Sequence, residues 1–157
     1  MKKLIYVCAG LLLILQACNS SKKTTAGGQS DKMKTVITDT YWKLTELNGK
    51  PIGEATEDRR EVYLILRKQE NRAQGNAGCN GYGGTYTLDA NGFNIKFSSM
   101  MHTMMACPGL DVENEYLKAV EMTDSYYVTD GVLQLNKGRM APLAKFVAVP
   151  DKAATIQ

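Results

Sequence analysis

Gly78-Cys79-Asn80-Gly81-Tyr82-Gly83-Gly84-Thr85-Tyr86 is the stretch that decides the fold. Together with Gly75 it puts five glycines into ten residues, a density that suits left-handed backbone, a bulge or a tight corner. Glycine-rich loops also cradle phosphates, but that cradle needs a helix N-terminus directly after it, usually opened by Gly-Lys-Ser/Thr. Here a strand-forming run, Tyr82 to Leu88, follows, and no Gly-Lys-Ser/Thr exists. The segment reads as a structural corner, with Asn80 placed to hydrogen-bond its backbone as asparagine does in turns.

Short strands flank the corner. Tyr41 to Leu47 alternates Trp42 and Leu44 with polar residues and ends at Asn48-Gly49, a strong hairpin signal. Val62 to Leu66 is β-branched and aromatic. Gly92 to Phe97 follows the turn Asp89-Ala90-Asn91-Gly92, with Phe93, Ile95 and Phe97 expected on one face. Tyr126 to Val128 and Val132 to Leu135 flank Asp130-Gly131, a third hairpin. Met140 to Val149 reads as a closing strand, placed at an edge by Pro142. One helix is predicted from Val112 to Met122, with Asp111 as N-cap, Glu113 and Glu115 near the positive end of its dipole, and Val112, Tyr116 and Val120 on one face. The fold class is α+β: a mostly antiparallel curled β-sheet or partial barrel whose open side the one main helix covers. Trp42, Tyr63 and Phe97 are expected to fill the core.

The N-terminus gives an address. Lys2 and Lys3 precede an apolar run, Leu4 to Leu15, too short to span a bilayer comfortably. Leu15-Gln16-Ala17-Cys18 then resembles the bacterial lipobox, in which the cysteine receives diacylglycerol, the peptide is cut before it and the new amino terminus is acylated. Residues 1–17 read as a lipoprotein signal peptide, 18–37 as a flexible linker after lipidated Cys18, 38–150 as one folded domain and 151–157 as a tail. Two or more acyl chains give stable attachment, so the expected partner is a membrane reached through the anchor. Asn19 in place of Asp favours the outer membrane, facing the periplasm. Without residues 1–17 the chain holds 17 Lys+Arg against 16 Asp+Glu, a balance that offers nucleic acid no electrostatic footprint. The acidic patch Glu57, Asp58 and Glu61, interleaved with Arg59 and Arg60, reads as a solvated, self-screened loop.

Of four cysteines, Cys8 leaves with the signal and Cys18 takes lipid. Cys79 and Cys107 remain, and two thiols in an oxidising envelope suggest one disulfide, worth about 3–4 kcal/mol over a loop of that length. Two buried free thiols is the competing reading. Four of the chain's eight methionines stand in Met100-Met101-His102-Thr103-Met104-Met105-Ala106-Cys107, beside its one histidine. Met101, His102, Met104 and Met105 are thereby candidate ligands for Cu(I), which prefers soft donors. Structural packing of those methionines is the alternative. No Gly-x-Ser-x-Gly elbow, second histidine or Cys-x-x-Cys pair advertises catalysis, and no cofactor is called for.

The order Tyr41-Trp42-Lys43-Leu44, then Gly78-Cys79-Asn80 with Tyr82 and Gly84, then Thr103-Met104-Met105-Ala106-Cys107-Pro108, then Glu115-Tyr116-Leu117 resembles the META domain family, which includes HslJ-like heat-shock lipoproteins. The resemblance covers Thr38 to Val149. It implies a small antiparallel β domain with a helix on an envelope lipoprotein, no enzymatic activity, and links to stress. It also implies a Thr-x-Met-Ala-Cys-Pro loop that packs its Met, here Met105, beneath the helix. The expected function is that of a non-enzymatic, lipid-anchored envelope protein, binding an envelope protein or small ligand or supporting envelope integrity under stress. A periplasmic copper-handling lipoprotein and a small apolar-ligand carrier with a cavity inside the sheet are the alternatives.

Overall fold

Two hairpins turn on the residue pairs that the sequence marks. β1 (Tyr41–Leu47) passes through Asn48-Gly49 into the two-residue β2 (Lys50–Pro51), with φ of 49° and 77° at the turn. Asp130 and Gly131 hold φ of 48° and 78° between strands that pair Thr129 with Val132. Left-handed backbone at both central positions is the type I′ geometry, whose twist matches that of the strands it joins. The computed structural model describes residues 36–108, 110–150 and 152–156. Cys18, the 1–17 segment and the start of the 18–37 segment lie outside the described residues.

The remaining elements are β3 (Tyr63–Arg67), β4 (Arg72–Asn76), β5 (Gly81–Leu88), β6 (Ile95–His102), α1 (Leu110–Met122), β7 (Ser125–Thr129), β8 (Val132–Asn136) and β9 (Ala144–Val149). They form one sheet in the order β6-β5-β4-β3-β1-β9-β8-β7, with β2 paired to β1. Every strand pair is antiparallel. The sheet curls until its two ends meet at one point. There Asn94 bridges Ser125, the Ile95 N–H donates to the Asp124 carbonyl at 3.1 Å, and the Tyr126 N–H donates to the Phe93 carbonyl at 2.9 Å. Helix α1 packs against β6 and β9, adding Tyr116, Ala119 and Val120 to a core of Trp42, Leu64, Leu66, Tyr82, Tyr86, Leu133, Leu135 and Phe146. This is the curled α+β half-barrel expected.

Several local expectations change. Helix α1 begins at Leu110, so Asp111 lies in its first turn instead of capping it. β4 was not foreseen; Arg72-Ala73-Gln74-Gly75-Asn76 is extended because it pairs on both sides, with β3 and β5. β6 runs on to His102 and takes in Met100 and Met101. Phe93 precedes β6 and is exposed, leaving Ile95 and Phe97 as the buried pair. Pro142 stands before β9, which lies between β1 and β8 and is no edge. Tyr63 faces the outside of the sheet, where it stacks on Tyr41 with ring centroids 4.5 Å apart. Residues 152–156, read as tail, dock there: Ala153 and Ile156 pack with Tyr41, Tyr63 and Ile65. Arg67 Nη2 donates to the Ala153 carbonyl at 2.8 Å and also to that of Ile156.

Candidate functional site

The glycine-rich corner between β4 and β5 is tied to helix α1 by one acid. Glu113, in the first turns of α1, is 3% exposed. Its Oε2 accepts the Cys79 N–H at 3.1 Å and the Asn80 N–H at 2.6 Å, and its Oε1 accepts Asn80 Nδ2 at 2.7 Å. The carboxylate thus answers three donors that the corner has turned away from the sheet. Buried carboxylates are retained where such donors surround them.

Asn80 is the hub. Its Oδ1 accepts Thr103 Oγ1 at 2.7 Å and the Met105 N–H at 2.8 Å, while its Nδ2 also donates to the Met105 carbonyl at 3.1 Å. The Asn80 carbonyl accepts the Ala77 N–H at 2.8 Å, closing the turn on itself. Arg60 Nη2 donates to the Cys79 carbonyl, and the Arg60 N–H to the Gly78 carbonyl at 2.7 Å. In the structure Cys79 and Cys107 are joined by a disulfide, their Cα atoms 5.9 Å apart. Corner, loop and helix form one knot. No buried side-chain nitrogen or oxygen among the described residues lacks a partner.

Three glycines have assigned duties. Gly78 holds φ 116° at the corner, a conformation L side chains rarely adopt. A Cβ on Gly75 would lie 2.0 Å from the Tyr63 carbonyl oxygen and 2.6 Å from the Tyr82 hydroxyl, because the Tyr82 ring crosses it. A Cβ on Gly84 would meet Met100 Sδ at 2.5 Å and the Ser98 carbonyl at 2.8 Å. There β6 carries one extra residue, the register stepping from Gly83–Met101 to Thr85–Ser98, with Ser99 at φ 52°. This is a bulge on β6, opposite the glycines.

Tyr82 reaches from the corner into the core. Its hydroxyl donates to the Tyr63 carbonyl at 3.1 Å and stands 2.6 Å from the Tyr116 hydroxyl. Burial, and next the neighbouring Tyr116, pushes the Tyr82 phenol well above its ordinary range; burial raises that of Tyr116 too.

The sequence-predicted residues divide. Gly78, Cys79, Asn80, Thr103 and Cys107 belong to the knot, and Tyr82 and Gly84 to the strand that leaves it. Met105 is held by its backbone; its side chain is half exposed and does not pack beneath the helix. Ala106 and Pro108 are exposed in the loop. Met101 and Met104 are 73% and 91% exposed, and His102 is exposed at the end of β6. Met101 and His102 line one shallow depression, whereas Met104 and Met105 do not. Cys107 is in the disulfide. Sequence reasoning missed Glu113 and Arg60. The sequence reads Glu113 as a helix-dipole partner and Arg60 as part of a solvated surface pair, because their true partners come from distant parts of the chain. Glu61, also read as solvated, accepts Tyr41 Oη at 2.6 Å and Lys152 Nζ at 2.5 Å.

Among known proteins, the model of the META domain matches residues 35–150. A protein from Burkholderia xenovorans, solved by NMR, is similar in structure at 26% identity, covering 73% of this chain and 84% of that one with a TM-score of 0.57. A DUF4847 family protein from Bacteroides vulgatus, solved by crystallography, shares the fold at 13% identity, covering 71% and 94% with a TM-score of 0.51. No curated protein matches. With the corner, the loop and the helix knotted in the order the sequence sets out, and with the family's model spanning nearly all of the described residues, the chain belongs to the META domain family.

Proposed function

We propose that this is a lipid-anchored protein of the bacterial cell envelope, held through acylated Cys18 to the outer membrane and facing the periplasm, whose META domain binds a partner or supports envelope integrity under stress and carries out no catalysis. The observation that carries this reading is Leu15-Gln16-Ala17-Cys18, placed after a basic and then apolar run and before a polar, Gly/Ser/Thr-rich stretch. The cystine suits an oxidising compartment. Action by binding is supported by the state of the motif's polar groups: Asn80, Thr103 and Glu113 are engaged with one another, and Cys79 and Cys107 are bonded. The interior of the curled sheet is filled by Trp42, Tyr82, Tyr86, Tyr116 and Phe146, which favours a partner met at the surface over an apolar ligand carried inside.

Metabolic labelling with an alkyne analogue of palmitate tests the anchor. The wild-type chain should carry the label and fractionate with outer membranes, and Cys18→Ser should carry none. Label on Cys18→Ser, or an unlabelled wild type in the soluble fraction, would overturn it.

A further inference from the structure

The outer face of the sheet holds a segment of chain in a site of its own. Ala153 and Ile156 pack on Tyr41, Tyr63 and Ile65, and Tyr41 stacks on Tyr63. Lys152 places its ammonium 2.5 Å from Glu61 Oε1 and 4.5 Å from the centre of the Tyr41 ring. Lys43 meets the same acid through Oε2 at 3.3 Å, which leaves Oε1 to Tyr41 and Lys152. Arg67 donates to the carbonyls of Ala153 and Ile156. A cation, an aliphatic side chain and two main-chain carbonyls are each received by a different group of the sheet: an acid beside an aromatic ring, an apolar patch and a guanidinium.

The segment is separable from the fold. It lies beyond residues 35–150, which match the META model, and none of its side chains belongs to the main core. Ala153 is buried, whereas Ala154 and Thr155 are exposed. A short tether holds a segment at an effective concentration in the millimolar range, so even few contacts keep it docked. We propose that Tyr41, Glu61, Tyr63, Ile65 and Arg67 form a peptide-binding surface, occupied in the resting chain by residues 152–156, whose partner is a protein segment bearing Lys or Arg with an aliphatic residue four positions later. Glu61 demands the cation, Tyr63 and Ile65 the aliphatic side chain, and Arg67 reads main-chain carbonyls. The partner gains the surface by displacing the segment, which acts as an internal competitor. This rests on the reading that the domain meets a partner at its surface, and it does not depend on the anchor.

The test uses the full chain in detergent, its docked segment loosened by Lys152→Glu and Ile156→Asp, and the synthetic peptide Asp-Lys-Ala-Ala-Thr-Ile-Gln, which copies residues 151–157. Titrated in the millimolar range and followed by NMR, the peptide should shift the ring signals of Tyr41 and Tyr63 and the methyl signals of Ile65 in the variant. The wild type, whose own segment competes, should bind the peptide roughly tenfold more weakly or less. The same loss is expected for the variant when Glu replaces Lys in the peptide. Deletion of residues 151–157 opens the surface by a second route and should reproduce the double variant, with amide signals of the core showing that both are folded. Unmoved Tyr63 and Ile65 signals in the folded variants, or equal binding by wild type and variants, would overturn the proposal. Either result leaves palmitate labelling at Cys18 as it is, so the loss of this surface is told apart from a failure of the anchored reading.

Discussion

The carboxylate of Glu113 accepts both the backbone N–H of Asn80, at 2.6 Å, and the side-chain amide of Asn80, at 2.7 Å. One acid on helix α1 thereby fixes the position and the orientation of the residue on which the loop at 103–105 hangs. Without it the backbone donors of Cys79 and Asn80 stay buried with no acceptor. An unsatisfied buried donor costs about 1–3 kcal/mol. Glu113→Ala should therefore lower unfolding free energy in urea by about 3 kcal/mol or more, and Glu113→Gln, which keeps one acceptor oxygen, by less. A loss below 1 kcal/mol for the alanine variant would show that the knot does not depend on this acid.

The disulfide and the hydrogen bonds hold the same loop by different means, and they can be separated. Replacing Cys79 and Cys107 together by serine should cost about 3–4 kcal/mol, chiefly by freeing the unfolded chain. The Met105 amide should stay protected from hydrogen exchange in the folded variant, because Asn80 Oδ1 still accepts it. If Met105 exchanged as fast as an open loop, the disulfide alone would be holding the segment.

Turn chemistry was readable in the sequence because it is local. Asn48-Gly49 and Asp130-Gly131 need only their own φ angles, and both pairs sit where expected. The face of α1 was readable too, since Tyr116 and Val120 repeat at helical spacing and are buried. β4 was not, because Arg72 to Asn76 holds no β-branched or aromatic residue; its extension comes from two neighbours. Glu113 looked like a helix-dipole partner, since its true donors lie 33 and 34 residues away. Pro142 misled for a related reason: proline marks an edge only where it stands within a strand, and β9 starts two residues later. Counting left Cys79 and Cys107 open to one disulfide or to two buried free thiols, and gave no sign of the network around them.

The glycines of the corner are not equivalent. Gly75→Ala places a Cβ against backbone and the Tyr82 ring, which overpacks a core that has no room to move. Such overpacking costs about 1–3 kcal/mol and occasionally more. Gly84→Ala should cost a similar amount, by pressing on Met100 and the Ser98 carbonyl. Gly83→Ala meets nothing nearer than the Ala73 carbonyl at 3.7 Å, so it should be neutral within about 0.5 kcal/mol. Thermal melts of the three variants check the order, and equal losses for Gly83 and Gly75 would contradict it.

The paired hydroxyls of Tyr82 and Tyr116 should respond unequally to deletion. The Tyr82 proton goes to the Tyr63 carbonyl, so Tyr116 is the donor in the 2.6 Å pair. Tyr116→Phe leaves Tyr82 with its carbonyl partner and should cost about 1 kcal/mol. Tyr82→Phe strands a buried hydroxyl and should cost about 2. Both phenols have folded values above the ordinary one, so the stability they supply is complete below pH 10 and is lost as pH rises beyond it. An absorbance titration of the wild type should show these two ionising only as the domain unfolds. Equal costs for the two Phe variants would reverse the assignment of donor and acceptor.

Glu61 gives the C-terminal segment an acid limit. Burial pushes its carboxyl up from 4.5, but hydrogen bonds from Lys152, Tyr41 and Lys43 outweigh that and hold it lower. A depressed carboxyl contributes stability that is present above its unfolded value and lost as pH falls through its folded one. At neutral pH Lys152 is therefore held, with Nζ 2.5 Å from Glu61 Oε1 and 4.5 Å from the centre of the Tyr41 ring. The contact should weaken only at pH values below the 4.5 from which the carboxyl is lowered. NMR signals of Ala153 and Ile156, followed from pH 7 to pH 2, should shift together in that range while those of Leu133 and Phe146 stay in place. In Glu61→Gln the same signals should be perturbed already at pH 7 and show no further step at acid pH. A step at the same pH in that variant would move the switch to another carboxylate.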